Sequence, residues 1–221
     1  MWNAVTTSLL LLLLGQPANV PWPMYRHDSQ KTGLSPNTGP GNPRVAWKLE
    51  KADFSFPVAG RDNAIFAATS SGLNKINSEG IVVWTLKDIG FAVALAHNDV
   101  AYAISNDRRG FYLVDSAGNG ILVKETEATD RYYMEEIGLG GNGEIYLVSW
   151  VWISGVSYGD YIIHSFDESG REAWAYPAER DLGYGVTLDL SGNILATSFW
   201  DGIVMSIGHD GTTNWDFSRP E

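Results

Sequence analysis

The chain of 221 residues contains no cysteine, which removes disulfides, thiolate nucleophiles and cysteine-ligated zinc or iron centres in one step. Its four histidines, His27, His97, His164 and His209, are scattered, and no two stand at the spacing of a zinc-ligand pair. Charge is sparse at 19%, and acidic residues outnumber basic ones 26 to 15, giving a net charge of -11. A polyanion is repelled by such a surface, so no nucleic-acid partner is expected. There is no Gly-x-Ser-x-Gly elbow, no phosphate-cradling loop with lysine, no dinucleotide fingerprint and no Asp-x-Asp-x-Asp-Gly calcium loop. The run Gly138–Gly143 imitates a fingerprint but leads into a strand, where no helix terminus waits for a phosphate, and it is a turn. No catalytic residue, cofactor or metal ligand is expected from these motifs.

Long apolar runs are also missing. The stretch Leu9 to Leu14, followed by Gly15-Gln16-Pro17-Ala18, is too short for a membrane span but has the form of an export signal, residues 1–18. Residues 1–8 carry no Lys or Arg, which leaves an N-terminal apolar tail as the other reading. The expected location is extracytoplasmic, periplasmic or secreted, with no integral membrane segment once the signal is cleaved. Residues 19–44 form an N-terminal extension.

What is abundant is apolar, aromatic and glycine content, at 44% hydrophobic, 12% aromatic, 24 Gly and 9 Trp. That combination describes short strands joined by tight turns. The segments Leu73–Gly80, Phe111–Gly118, Ile163–Gly170 and Val204–Gly211 align without a gap. Their first column is Leu73, Phe111, Ile163, Val204 and their fourth is Ile76, Val114, Phe166, Ile207. These positions face opposite sides of an extended strand, so both sides must be buried. The fifth column is Asn77, Asp115, Asp167, Gly208, and the eighth is Gly80, Gly118, Gly170, Gly211, supplying the positive φ of a hairpin turn. Four residues further on stand Trp84, Leu122, Trp174 and Trp215.

Each unit is preceded by a second strand, at Ala64–Ala68, Val100–Ile104, Glu144–Val148 and Asn193–Thr197, opened by the turn signals Asp62-Asn63, Asn98-Asp99, Asn142-Gly143 and Ser191-Gly192. A further apolar stretch lies before those signals, as in Phe91–Leu95, which makes four strands per unit. The period of about 40 residues, with one longer interval, suits propeller blades and not helical solenoids. The fold expected is all-β, a β-propeller of four-stranded antiparallel blades at about 53–87, 91–126, 132–177 and 183–217 within a repeat region 45–221. A β-solenoid is the competing all-β repeat.

The hairpin of Asx, Gly and then Trp resembles the pyrroloquinoline-quinone-like (PQQ-like) propeller repeat, in which the tryptophan of one blade docks on the turn of its neighbour. Pro21–Ser35, followed by Val45-Ala46-Trp47, is similar to the opening of exported members. The family contains quinoprotein dehydrogenases, which bind the quinone and calcium, and non-catalytic propellers such as the outer-membrane assembly lipoprotein. The resemblance to the enzymes implies eight blades and usually an adjacent cysteine pair. This chain has about half the blades and no cysteine, so the non-catalytic type is the better match. It also lacks the lipobox cysteine of the lipoprotein.

Val45–Leu49 has the pattern of an outer strand, yet the last unit has its own at Thr212–Phe217. The ring is therefore expected to be incomplete, with self-association through open blade faces, and a closed four-blade ring is the alternative. Glu125, Glu127, Asp130, Glu135 and Glu136 form an acidic connection, and Arg108-Arg109 a solvated turn. The insertion 149–160 brings Trp150, Trp152 and Tyr158 to an interaction loop suited to a peptide edge or a sugar face. Its plainer reading is an extended hairpin whose rings cover the blade. Together these features predict a non-enzymatic, protein-binding or envelope scaffold module, its protein partner unidentified. The alternatives are a quinoprotein dehydrogenase fragment and a carbohydrate-binding propeller.

Overall fold

The computed structural model describes residues 23–35, 38–39, 41–50, 57–69, 71–96, 99–126, 132–141, 143–152, 159–178, 182, 185–198 and 202–218. Within them the chain forms four four-stranded antiparallel sheets, each built from strands consecutive in sequence. Blade I comprises β1 (Val58–Ala59), β2 (Ile65–Thr69), β3 (Gly72–Ile76) and β4 (Val82–Leu86), and blade II comprises β5 (Ile89–Leu95), β6 (Ala101–Ser105), β7 (Gly110–Val114) and β8 (Gly120–Glu125). Blade III holds β9 (Tyr132–Leu139), β10 (Ile145–Trp152), β11 (Gly159–Phe166) and β12 (Glu172–Pro177), and blade IV holds β13 (Thr187–Leu188), β14 (Ile194–Thr197), β15 (Ile203–Ile207) and β16 (Thr213–Ser218). One 3-10 turn, Arg61–Asn63, is the only helical element among the described residues.

Side-chain alternation explains the stacking. In β6, Ala101 and Ala103 pack towards blade I, while Tyr102 and Ile104 pack towards blade III. In β10, Ile145 and Leu147 face blade II, while Tyr146 and Val148 face blade IV. A strand covered on both sides has no reason to alternate apolar with polar, and none of these residues does. The repeat columns divide the same way: Leu73, Phe111 and Ile163 point forward to the next blade, and Val114, Phe166 and Ile207 point back. Three apolar clusters thus join I to II, II to III and III to IV. None joins IV to I among the described residues, and the ring is open there.

Each junction is locked by a turn. Asn77 Oδ1 accepts the amides of Glu79 (3.0 Å) and Ile81 (2.9 Å), and Asp115 and Asp167 do the same for Ala117 and Asn119, and for Ser169 and Arg171. Gly80, Gly118, Gly170 and Gly211 take φ between 82° and 91°, a left-handed conformation in which glycine alone is unstrained. The bare glycine also makes room for a ring from the preceding blade. Trp84 lies over Gly118 with its Nε1–H donating to the Ser116 carbonyl at 3.2 Å, and Trp174 lies over Gly211 and donates to that of His209 at 2.9 Å.

Several expectations need correcting. Leu122 does not take the tryptophan place in blade II; the bulge in β8 falls later there than in the other outer strands, and Val123 covers Gly170 instead. In blade IV the Asx position is Gly208, and Asp210 caps the turn by accepting the Thr212 amide at 3.0 Å. Val45–Leu49 joins no sheet among the described residues, although Trp47 covers Gly80 and donates to the Ser78 carbonyl at 3.1 Å. Glu135 and Glu136 belong to β9, not to a loop.

The N-terminal extension acts as a strap. The Pro23 carbonyl accepts the Leu95 amide at 2.7 Å, and the Ser29 carbonyl accepts that of Leu188 at 2.9 Å. Ser29 Oγ donates to the Leu139 carbonyl at 2.6 Å, Lys31 is ion-paired with Glu136, and Met24 is buried in the II–III cluster. Residues 23–31 therefore tie together the inner strands β5, β9 and β13.

Two substitutions test this architecture by urea unfolding. In Gly118→Ala the new Cβ falls 2.8 Å from the Trp84 ring at φ +91°, and the expected loss is about 1–3 kcal/mol from backbone strain alone. Met24→Ala empties a buried site under the strap and is expected to cost about 2–5 kcal/mol.

Candidate functional site

The longest hairpin among the described residues, β10 with β11, carries Trp150 and Trp152 towards its tip. All eight residues of β10 pair with β11, from Ile145↔Phe166 to Trp152↔Gly159, because the β-favouring run Trp150-Val151-Trp152 simply continues the strand. Trp150 and Trp152 are therefore half-buried strand residues and not members of a loop, which corrects their sequence-based placement. Tyr158 lies outside the described residues.

Trp150 stands opposite Tyr133 on one side and Tyr161 on the other. Its ring stacks on Tyr133 at 6.0 Å and 21°, and meets Trp152 edge-on at 5.5 Å and 74°. The row continues into blade II through a cation. Arg108 places its guanidinium 5.2 Å from the Tyr133 ring centroid and 4.7 Å from that of Phe91. It also donates from Nε to the Met134 carbonyl at 3.2 Å and is ion-paired with Glu135. Arg108 is thus fixed between two blades rather than solvated in a turn. Burial lowers its pKa, while the nearby tyrosines Tyr133 and Tyr161 work to raise it. Phe91, Arg108, Tyr133, Trp150 and Trp152 form one continuous band at the rim opposite the Asx–Gly turns.

A second constellation lies deeper between blades II and III. Ser149 Oγ donates to Tyr132 Oη at 2.9 Å, Tyr132 Oη lies 2.5 Å from His164 Nε2, and His164 Nδ1 lies 2.6 Å from Glu172 Oε1. Lys124, from blade II, donates to Glu172 Oε2 at 2.7 Å. Glu172 as a carboxylate accepts only, so the imidazole proton sits on Nδ1 and Nε2 accepts from Tyr132. Ser149 Oγ is also 3.0 Å from Nε2, which gives a Ser–His–Glu order like that of a nucleophilic triad. Yet Ser149 is 0% exposed, and the Nε2 lone pair is already engaged by the shorter Tyr132 contact. This relay pins one blade to the next by satisfying polar groups that burial would otherwise penalise.

Sequence reasoning placed His164 in a structural role within its repeat unit but missed its partners. Ser149, Tyr132 and Glu172 come from three other strands and share no local motif. The repeat residues Asn77, Gly80, Trp84, Asp115, Gly118, Asp167, Gly170, Trp174 and Gly211 all meet at blade junctions, whereas Trp215 faces solvent. His27 Nδ1 lies 3.3 Å from Asp28 Oδ2 within the strap, and His97 lies outside the described residues. No group of three or more His, Cys, Asp or Glu gathers as a metal site among the described residues.

No protein-family model matches the chain, and no curated protein matches it in sequence. Among solved structures it is similar to a streptogramin B lyase, with a TM-score of 0.58 at 10% identity over 79% of this chain and 57% of that one. It is also similar to the Neurospora crassa Pan2 WD40 domain, with a TM-score of 0.53 at 13% identity over 75% and 49% of the respective chains. The chain spans about half the length of these structures. Likeness at such low identity concerns the fold, and in that respect the chain is a β-propeller.

The relay makes stability depend on pH. Burial is the largest influence on His164 and lowers its pKa, outweighing the opposing hydrogen bond from Glu172. The unfolded chain therefore takes up a proton near the ordinary value of about 6.5 while the folded imidazole stays neutral, and stability falls as pH drops through that value. For Glu172, burial works to raise the pKa, but the hydrogen bonds from Lys124 and His164 prevail and hold it low. Its stabilisation is present above the ordinary carboxylate range and lost below it. The urea midpoint of His164→Gln is expected to fall less than that of the parent between about pH 7 and pH 5, while the steeper loss near about pH 4 persists.

Proposed function

We propose that the chain is an exported, non-enzymatic propeller of the PQQ-like repeat type that binds a protein partner through its aromatic rim. One observation carries this reading: the band of Phe91, Arg108, Tyr133, Trp150 and Trp152, held in stacked and ion-paired positions by two adjacent blades. Trp, Tyr and Arg are the residues in which binding energy concentrates at protein interfaces. Rigid rings that are already packed lose little side-chain entropy when a partner covers them. The reacting groups of the Ser149–His164–Glu172 relay are turned inwards, which favours recognition over chemistry as the task of this surface.

Export is supported by the apolar run Leu9–Leu14 and the small residues after it, and PQQ-like membership by the Asx–Gly–Trp junctions. A net charge of -11 favours a partner whose contact surface is neutral or basic.

The test is an affinity comparison on partners recovered from envelope extracts. Trp150→Ala with Trp152→Ala is expected to weaken a purified partner by about 30-fold or more, the factor that corresponds to a hot spot of about 2 kcal/mol. Unchanged affinity, or binding confined to a glycan array, would overturn the reading.

A further inference from the structure

Two residues of the buried relay are the chain neighbours of two rings in the aromatic band. Tyr132 precedes Tyr133 on β9, and Ser149 precedes Trp150 on β10. The pairing of these strands is irregular at that point, where Val148↔Glu136 is followed by Ser149↔Met134. Glu135 is the residue left over, and a bulge of this kind re-aims a side chain. It is Glu135 that is ion-paired with Arg108 of the band. Relay, bulge and band therefore share one stretch of backbone.

The groups around His164 set when it takes up a proton. Tyr132 faces it from β9, Ser149 from β10 and Glu172 from β12, while Lys124 reaches Glu172 from β8 of blade II. Asp160 stands on the same face of β11 beyond Ile162, at a distance set by four strand residues. Lys124 and Glu172 cancel in charge, so an imidazolium adds an unbalanced positive charge at a side chain that is only 4% exposed. Burial and the charge of Lys124 work against protonation, and prevail over the hydrogen bond and charge of Glu172. Glu172 is itself held below the ordinary carboxylate range. His164 thus charges below about pH 6.5, while Glu172 is still ionised.

Protonation turns Nε2 from an acceptor into a donor. The Tyr132 hydroxyl proton must then leave Nε2, and among the described residues its other partner is Ser149 Oγ at 2.9 Å. Ser149 must in turn give its own proton to the Ile162 carbonyl at 3.3 Å, which is beyond the usual range for a hydroxyl donor. Making that bond good draws Ser149 towards β11, and Trp150, the next residue, moves with it against Tyr133.

We propose that the relay is a proton switch for the aromatic rim: neutral His164 holds Tyr133, Trp150 and Arg108 in the binding arrangement, and protonation disturbs that arrangement and releases a bound protein in acidic surroundings. The release rests on the reading of the rim as a protein-binding surface, whereas the switch itself does not.

The switch is tested on the full chain with no partner present, by following three NMR resonances from about pH 7.5 to pH 4.5. They are the His164 imidazole, the Trp150 indole N–H and the Arg108 Nε–H, assigned through His164→Gln, Trp150→Phe and Arg108→Lys. The expected result is one common midpoint below about pH 6.5, with the two rim resonances flat in His164→Gln. Rim resonances that stay still while His164 titrates, that move equally in His164→Gln, or that move only on global unfolding overturn the proposal. Lys124→Met keeps the imidazole and removes the opposing charge, so both midpoints are expected to rise together; a rise in one alone also overturns it. A protein recovered through the Trp150 and Trp152 comparison then reports on release. Its affinity is expected to fall about 10-fold per pH unit below the His164 midpoint, as linkage to one proton requires, and to lose that slope in His164→Gln. An unchanged slope overturns the release, while unchanged affinity in Trp150→Ala with Trp152→Ala overturns the rim reading and leaves the switch standing on its NMR result.

Discussion

A tryptophan seated over a left-handed glycine is the contact on which this molecule depends. The geometry has two requirements that glycine alone meets together: a φ near +85° without strain, and no Cβ where the indole must lie. At Gly80, Gly118 and Gly211 an added Cβ would fall between 2.7 and 2.9 Å from the ring. The indole N–H then finds a carbonyl that the turn has left free, so the ring is fixed in orientation as well as position. A net value of about 1 kcal/mol for that bond is ordinary. Its importance is geometric, since it orients blade I against blade II and blade III against blade IV, while Val123 takes that place between blades II and III.

The inner strands of blades II and III then have apolar neighbours on two sides, as the paired rows of β6 and β10 show. A closed ring would give each blade two such neighbours. Here the ring is open, and the strap supplies part of what closure would have contributed, linking β5, β9 and β13 through Pro23, Ser29 and Lys31. The relay from Ser149 to Lys124 adds a polar link between blades II and III at the place where the aromatic band also crosses between them. Two sets of interblade contacts meeting at one junction keep the rim rigid, and rigidity is what lets exposed rings bind at low entropic cost.

Much of this was legible in the sequence because the repeat is local. A hairpin writes its turn, its glycine and its flanking apolar columns within about 12 residues, and recurrence makes the pattern unmistakable. Strand positions predicted from the four aligned segments agree with β3, β7, β11 and β15 to within a few residues. What escaped was whatever depends on register or on distant strands. Leu122 occupies the tryptophan column by count, but a displaced bulge hands its task to Val123. Arg108 looks like a solvated turn residue until β9 passes beneath it. Ser149 and His164 are a diagonal pair on neighbouring strands, and Glu172 and Lys124 reach them from further strands, so no window of sequence contains the relay.

The distribution of polar chemistry separates support from recognition. In the relay Ser149 is sealed, and His164 has Tyr132 on one nitrogen and Glu172 on the other. The aromatic band has the opposite character, being partly exposed, fixed by stacking, and carrying a cation whose charge Glu135 already balances. Such a surface loses little on desolvation because its charge is paired before any partner arrives. By contrast with Trp84 and Trp174, which lie over Gly118 and Gly211 of the next blade, Trp215 is 49% exposed. On the proposed reading, recognition in this fold lies where the repeat leaves aromatic rings in place but partly uncovered.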